Sequence, residues 1–418
     1  MYLKRALEEV VTKINKTFKA ILVTGARQVG KSTLLKHLFN NIKYVTFDDP
    51  LLKEATKRDP KLFIKQNPPP ILLDEIQYVT ELFPYIKMEC DNTDSYGLYA
   101  LTGSQQYHLM KNVSESLSGR IAILELTGLS MREMKNETFN EPFIPNSKYI
   151  ENREKTLNKN LNIWQIIHRG SYPALINSEI DTQIFYSSYI DTYISRDIND
   201  LIRIKDKLKF TQFLVAMASR TGQILNYSSV ADQLEISAVT VKEWTSILET
   251  SGLIYILRPF SNSDLNRAIK TPKLYFRDTG LVCYLTRYPT YETAMNGAMA
   301  GALFETFVVS EIIKSFQNAG IRYDMHISYY RGKDKVRTSK GGIESNKEAE
   351  IDLIIEDGNA IYPIEIKLSA NPKLSMTNSF DVLDKINSKQ RGIGTIICMY
   401  DSPIWLNEHT VALPVEYI

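Results

Sequence analysis

Cysteine and histidine are scarce in this chain. Its 418 residues hold three cysteines, Cys90, Cys283 and Cys398, and five histidines. The cysteines lie far apart and at no metal-type spacing. That pattern excludes a disulfide framework and a cysteine-built zinc site, and it fits a reducing cytosol. Net charge is lacking too: 50 Lys and Arg against 48 Asp and Glu leave +2. The whole chain is therefore no polycation, and any nucleic-acid contact must come from a local patch. Long apolar runs are also missing, since none reaches the ~18 residues expected of a membrane span. Met1–Val10 carries charge where a signal peptide has its apolar core. That stretch is expected to form an amphipathic helix beside the first strand, in a cytoplasmic protein without a membrane partner. The remaining composition, 44% hydrophobic and 23% charged, is an ordinary globular profile with length for two or three domains.

What is present is a phosphate loop. Gly25-Ala26-Arg27-Gln28-Val29-Gly30-Lys31-Ser32 fits G-x-x-x-x-G-K-[ST] at every fixed position. The apolar run Ala20–Thr24 precedes it as a buried strand, and Thr33–Phe39 follows with helical spacing. The two glycines permit backbone angles and close approach that a side chain forbids. Loop amides and a helix N-terminus then face an anion, here a nucleotide polyphosphate. Lys31 is expected to reach the β- and γ-phosphates, Ser32 to hold Mg²⁺ and Thr33 to add a donor to the α-phosphate.

Ile71-Leu72-Leu73-Asp74-Glu75 reads as a buried parallel strand ending in carboxylates at the ligand edge. Asp74 is expected to bind the Mg²⁺ water shell, and Glu75 to orient or deprotonate the attacking water. Leu98–Leu101 reads as a further strand ending in Thr102, Ser104 and Gln105. Any of these three could bond the γ-phosphate or the water, and a plain polar turn explains them equally well; Ser104 is taken as the catalytic candidate. Arg120 precedes the strand Ile121–Leu126. It could stabilise the transferring phosphoryl group in its own site or a neighbour's, or serve only as a surface residue; a ring and a single copy both remain open.

Together L-L-D-E-I-Q (Leu72–Gln77), L-T-G-S-Q (Leu101–Gln105), S-L-S-G-R (Ser116–Arg120) and L-S-M-R-E (Leu129–Glu133) resemble the bacterial and archaeal AAA-type ATPases that carry a C-terminal domain of unknown function. The resemblance implies an ATPase core to about Glu133, with nucleotide and magnesium roles at Lys31, Ser32, Asp74 and Glu75 and a sensor within Thr102–Gln105. Arg196-Asp197 and the K-L-Y-F-x-D-x-G-L string at Lys273–Leu281 match the same family further along.

Asn136–Asn160 is rich in Asn, Lys and Glu, with weak periodicity, and reads as a linker or irregular insertion. Tyr227–Leu234 and Ala238–Thr250 read as helices joined by a tight turn, capped by Ser251-Gly252 and followed by a strand at Leu253–Leu257. That is the outline of a winged helix-turn-helix. The second helix carries Lys242 but also Glu243 and Glu249, which suits packing or protein contact better than reading DNA.

Further on, Gly301–Phe307 predicts an amphipathic helix with one carboxylate, Glu305. Glu350–Ile355 and Ala360–Lys367 predict two strands paired through Asp357-Gly358. Alternation puts Glu365 and Lys367 on one face, with Asp352 within reach. This set resembles the PD-(D/E)xK restriction-endonuclease-like fold. In it Glu305, Asp352 and Glu365 would hold a metal and Lys367 would steady a nucleophilic water. Tyr329–Lys340 mixes aromatic and basic residues, which suits either nucleic-acid contact or a solvated loop.

The expected architecture is α/β: a parallel-sheet P-loop ATPase domain over 1–135, a linker over 136–160, a winged-helix region over 161–260 and an α/β nuclease-like domain over 261–418. The expected activity is Mg²⁺-dependent ATP hydrolysis coupled to a nucleic-acid-related C-terminal half, with nucleotide as ligand and DNA or RNA as a further partner. The alternatives are an ATP-regulated metal-dependent nuclease and a non-enzymatic, nucleotide-switched DNA-binding regulator.

Overall fold

A computed structural model describes residues 2–104, 113, 116–157, 162–193, 207–260, 271–337, 343–386 and 388–418, with backbone alone for 193, 333–337 and 343–348. The N-terminal sheet has five strands: β1 (Ala20–Thr24), β2 (Lys43–Thr46), β3 (Ile71–Asp74), β4 (Tyr99–Thr102) and β5 (Ile121–Glu125). Their order is β2-β3-β4-β1-β5, and every pairing is parallel. The inner strands β1, β3 and β4 are buried at every position. Cover on both faces explains why they read as unbroken apolar runs. Parallel strands bring all their C-terminal ends to one edge, and there the phosphate loop, Asp74 and Thr102 meet.

The expected N-terminal helix spans Leu7–Ile14. After β2 the run of residues 50–66 forms two helices, Pro50–Arg58 and Pro60–Gln66. Asp49 and Asp59 cap them, each followed by proline at the first helical position. The second Asp-Pro pair is what divides the run.

Asn136–Asn160 does not behave as a tether where it is described. It contains the helix Ser147–Glu154 with Tyr149, Ile150 and Arg153 buried. Tyr149 Oη donates to the Tyr417 carbonyl at 2.7 Å, and Arg153 Nη2 to that of Glu416 at 2.8 Å. The polar composition hid this packing because the buried guanidinium and phenol are satisfied by backbone carbonyls far away in sequence.

The middle of the chain holds the helices Ile163–Arg169, Thr182–Tyr193, Lys207–Ala218, Tyr227–Leu234 and Ala238–Thr250. A three-stranded antiparallel sheet follows, ordered β6 (Gln223–Ile224), β8 (Lys273–Phe276), β7 (Ile254–Leu257). Arg196-Asp197 and Gln105 lie outside the described residues. The helix expected near Gly301–Phe307 runs from Ala300 to Asn318, and every residue from Thr306 to Asn318 is buried. It is a central pillar rather than an amphipathic surface helix. Its polar groups find partners in the L-S-M-R-E segment. Glu311 Oε2 accepts from the Met131 amide at 2.7 Å, and Lys314 Nζ donates to the Leu129 carbonyl at 3.0 Å.

The C-terminal sheet is mixed: β9 (Ile327–Arg337), β10 (Ile343–Asp357) and β11 (Ala360–Ile366) are antiparallel, and β11, β12 (Gly394–Cys398) and β13 (Thr410–Pro414) are parallel. The expected Asp357-Gly358 hairpin is present, with Asp357 opposite Ala360 and Gly358 at φ 55°. One hydrophobic core runs through all three regions and includes Val23, Trp164, Phe210, Phe304 and Leu413. A second core packs on the other face of the first sheet, around Leu22, Leu73 and Leu101. Among the described residues no helix is long and apolar enough to cross a membrane.

Candidate nucleotide site and a second charged cluster

The phosphate loop is shaped by its neighbours. Gly25 sits at φ 140°, and a Cβ there would lie 2.1 Å from the Leu126 carbonyl oxygen. Gly30 begins the helix Lys31–Leu38 in the left-handed region, at φ 95°. Lys31 is buried, and its Nζ donates to the loop's own Gly25 and Ala26 carbonyls at 3.0 and 2.8 Å. The ammonium thus bridges the loop that Arg27, Gln28 and Val29 complete, with Thr33 in the first helical turn.

Asp74, at the end of β3, is the acceptor around which the site is arranged. Ser32 Oγ donates to its Oδ1 at 2.7 Å and Tyr44 Oη to its Oδ2 at 2.7 Å, and the Thr102 hydroxyl also donates to Oδ1. Burial, with Asp74 beside it, pushes the Tyr44 phenol well above its ordinary range. The hydroxyl of Ser32 and the carboxylate of Asp74 form a hard-oxygen donor pair, which fits Mg²⁺. Glu75 adopts a left-handed backbone, φ 57°, and its amide donates to the Thr102 hydroxyl at 3.1 Å. Its carboxylate accepts from the Gln77 amide and from Ser104 Oγ, the latter at 3.3 Å. Within the Thr102–Gln105 segment, Thr102 grips the Asp74–Glu75 turn and Ser104 touches the Glu75 carboxylate.

Arg120 does not join this group. Its carbonyl accepts from the Ala20 amide, so it stands where β1 and β5 begin. Five residues of strand, roughly 15 Å, separate that edge from the phosphate loop. Its guanidinium instead pairs with Asp91, Nε to Oδ1 at 2.5 Å. Parallel strands put their beginnings and ends on opposite edges, so Arg120 stands away from its own chain's phosphate loop.

Residues that the sequence did not single out brace the loop. Arg5 is buried, and Nη1 donates to the Val29 carbonyl at 2.8 Å while Nε pairs with Glu133 Oε1 at 2.9 Å. Burial would raise the Glu133 carboxyl, but Arg5 and the Ser130 and Ala6 amides hold it below its usual range. A capping box at Ser130, with Glu133 three residues on, orients that carboxylate. Gly252 approaches from the middle of the chain, and a Cβ there would lie 3.3 Å from the Ala26 amide nitrogen. The capping box was visible as S-x-x-E; nothing local marked Arg5 or Tyr44.

The second cluster lies where β8 meets the C-terminal sheet. Glu305, Asp352, Glu365 and Lys367 do come together there. Lys367 Nζ is 2.5 Å from Glu365 Oε1 and 3.5 Å from Asp352 Oδ2. Two further residues occupy the same space. Lys273 Nζ lies 2.6 Å from Glu350 Oε1, 3.5 Å from Glu305 Oε1 and 3.7 Å from Asp352 Oδ1. Tyr275 Oη donates to Glu305 Oε1 at 2.7 Å. Burial, then Asp352 nearby, pushes the Glu305 carboxyl up, and the same causes push Glu365 up to about 8. Burial would lower the Lys273 pKa, but Glu305, Asp352 and Glu350 outweigh it and raise it. Among the described residues no group of three or more His, Cys, Asp or Glu side chains is arranged to hold a metal. Of the expected metal ligands, Glu305 and Asp352 face the Lys273 ammonium and Glu365 faces that of Lys367. Lys273 was visible only as the first letter of the K-L-Y-F string, and its partners come from the helix Ala300–Asn318 and the strand Ile343–Asp357, both remote in sequence. Side chains of the basic stretch from residue 333 on lie outside the described residues.

Three stretches of the chain match known family models. Residues 17–135 match the AAA domain. Residues 160–292 match a domain of unknown function, DUF8612, and residues 300–418 another, DUF4143. An uncharacterised protein of Mycobacterium tuberculosis is 25% identical over 402 residues, covering 95% of this chain and 80% of that one. An uncharacterised protein of Methanocaldococcus jannaschii is 25% identical over 65% of this chain and 63% of its own. Among solved structures, the Thermotoga maritima RuvB Holliday junction branch migration motor aligns at 15% identity and TM-score 0.27, over 60% of this chain and 85% of that one. A likeness so slight bears on neither fold nor activity. The phosphate loop, the parallel sheet and the AAA match together support an AAA-type P-loop ATPase domain at the N-terminus.

Proposed function

We propose that this protein binds ATP with Mg²⁺ at the Gly25–Ser32 loop and hydrolyses it. The observation that carries the reading is the direct hydrogen bond from Ser32 to Asp74 beside a left-handed Gly30 and a buried Lys31. Incoming phosphates would compete with the Gly25 and Ala26 carbonyls as acceptors for Lys31. Ser32 and Asp74 would hold the magnesium ion, which neutralises charge on the β- and γ-oxygens. Glu75 is the general base, and Gln77 and Ser104 hold its carboxylate in a defined place.

Phosphate release from purified protein tests this. Lys31→Ala should abolish ATP binding. Glu75→Gln should bind ATP normally and lose about 10²- to 10⁴-fold in turnover, the usual worth of a general base. Normal ATP affinity in Lys31→Ala would place the site elsewhere.

For the rest of the chain the reading is a nucleic-acid-related half coupled to the nucleotide cycle. Its support is the order of the helices Tyr227–Leu234 and Ala238–Thr250 followed by antiparallel β7 and β8, which has the layout of a winged helix. A salt-dependent DNA mobility shift that changes with ATP tests it, and a shift absent at low salt would refute it.

A further inference from the structure

We propose that Lys273 is a built-in cation that takes the place of a divalent metal in the C-terminal carboxylate cluster, so that the site as folded is closed to metal. The expected fold family implies Mg²⁺ at Glu305, Asp352 and Glu365, and the residues present do not fit it. Four carboxylates, those of Glu305, Glu350, Asp352 and Glu365, face two ammonium groups, those of Lys273 and Lys367. Three of the four contact Lys273, which is itself only 3% exposed. A compact, strongly charged group at the convergence of three carboxylates is what a bound ion would otherwise supply.

The lysine is also held in place. Lys273 pairs with Leu257 on one side and Ile224 on the other, in the middle strand of its sheet. Its main chain is thereby fixed beside the cluster. Asp352 is committed as well, because its Oδ2 accepts from the Ile366 amide at 2.9 Å as well as from Lys367. One group remains unused. Glu365 is 8% exposed, and its Oε2, away from the oxygen that meets Lys367, is buried without a hydrogen-bond partner. A buried acceptor in that state is costly, and it marks the cluster as able to take one more positive ligand once Lys273 is gone. The sheet that carries Lys273 therefore acts as a plug in a latent divalent-cation site.

Mn²⁺ alone, titrated into nucleotide-free full-length protein and counted by loss of the aqueous Mn²⁺ resonance, tests this independently of ATP hydrolysis. Wild type and Glu305→Gln should bind the same number of ions. Lys273→Met should bind one more, at least tenfold more tightly than any wild-type site, and Mn²⁺ should raise its melting temperature. Lys273→Met combined with Glu305→Gln should lose the extra ion. A lower count in Glu305→Gln than in wild type would overturn the proposal, as would a folded Lys273→Met that gains no ion. Should Lys273→Met fail to fold, the comparison of wild type with Glu305→Gln decides: equal counts support the plug, and unequal counts refute it.

Discussion

A single guanidinium ties the start of the chain to the nucleotide loop. Arg5 reaches the Val29 carbonyl, the Thr127 carbonyl and the Glu133 carboxylate at once. The gain from such a pair is small against two apolar residues, but stranding one partner is expensive, about 3–5 kcal/mol. Arg5→Met should therefore lower unfolding free energy in urea by about that amount, and ATP affinity should fall because Val29 loses its support. Replacing Arg5 and Glu133 together by Met should recover much of the stability, since no buried charge is then unpaired. A double variant no more stable than Arg5→Met would show that the loss is not one of charge pairing.

At the level of elements, one helix end serves two parts of the molecule. After Ala238–Thr250 the Gly252 amide donates to the Glu249 carbonyl at 3.0 Å and the Leu253 amide to that of Leu248 at 2.9 Å. This is the Schellman ending, which requires a left-handed residue, and Gly252 has φ 78°. The same glycine leaves room for Ala26 in the phosphate loop. Gly252→Val should cost about 1–2 kcal/mol for the left-handed backbone and should also weaken ATP binding by pressing on the loop. Unchanged ATP affinity in a destabilised Gly252→Val would separate the helix ending from the nucleotide site. The helix ending and the hairpin at Asp357-Gly358 were legible because turn chemistry is local. The packing of Ser147–Glu154 and the burial of Thr306–Asn318 were not. Their polar residues resemble surface residues until the distant carbonyls and carboxylates that satisfy them are known.

For the molecule as a whole, the helix Ala300–Asn318 touches what the sequence would divide. Glu311 and Lys314 bond the Leu129–Met131 segment, Gln317 Nε2 donates to Glu125 at 2.6 Å at the end of β5, and Phe304 belongs to the core shared by all regions. Cooperative unfolding follows from a shared core. Calorimetry should give one transition with matching calorimetric and van't Hoff enthalpies. Phe304→Ala should lower that transition as a unit, by about 3–5 kcal/mol. A Phe304→Ala protein that melts in two separated steps would show that the halves fold independently.

The residues alone determined whatever depends on neighbours in the chain. The phosphate loop and its flanking strand and helix, the Asp74–Glu75 strand end, the helix ending at Gly252 and the β10–β11 hairpin all rest on spacing and turn chemistry that act within a few positions. Tertiary structure decided which charges meet. It sent Arg120 to the far edge of the sheet, set Arg5 against Glu133 and drew Lys273 into the carboxylates of another sheet. The reason is physical: a buried charge must find its counter-charge in space, and the distance in sequence to that partner has no bound that a local pattern can carry.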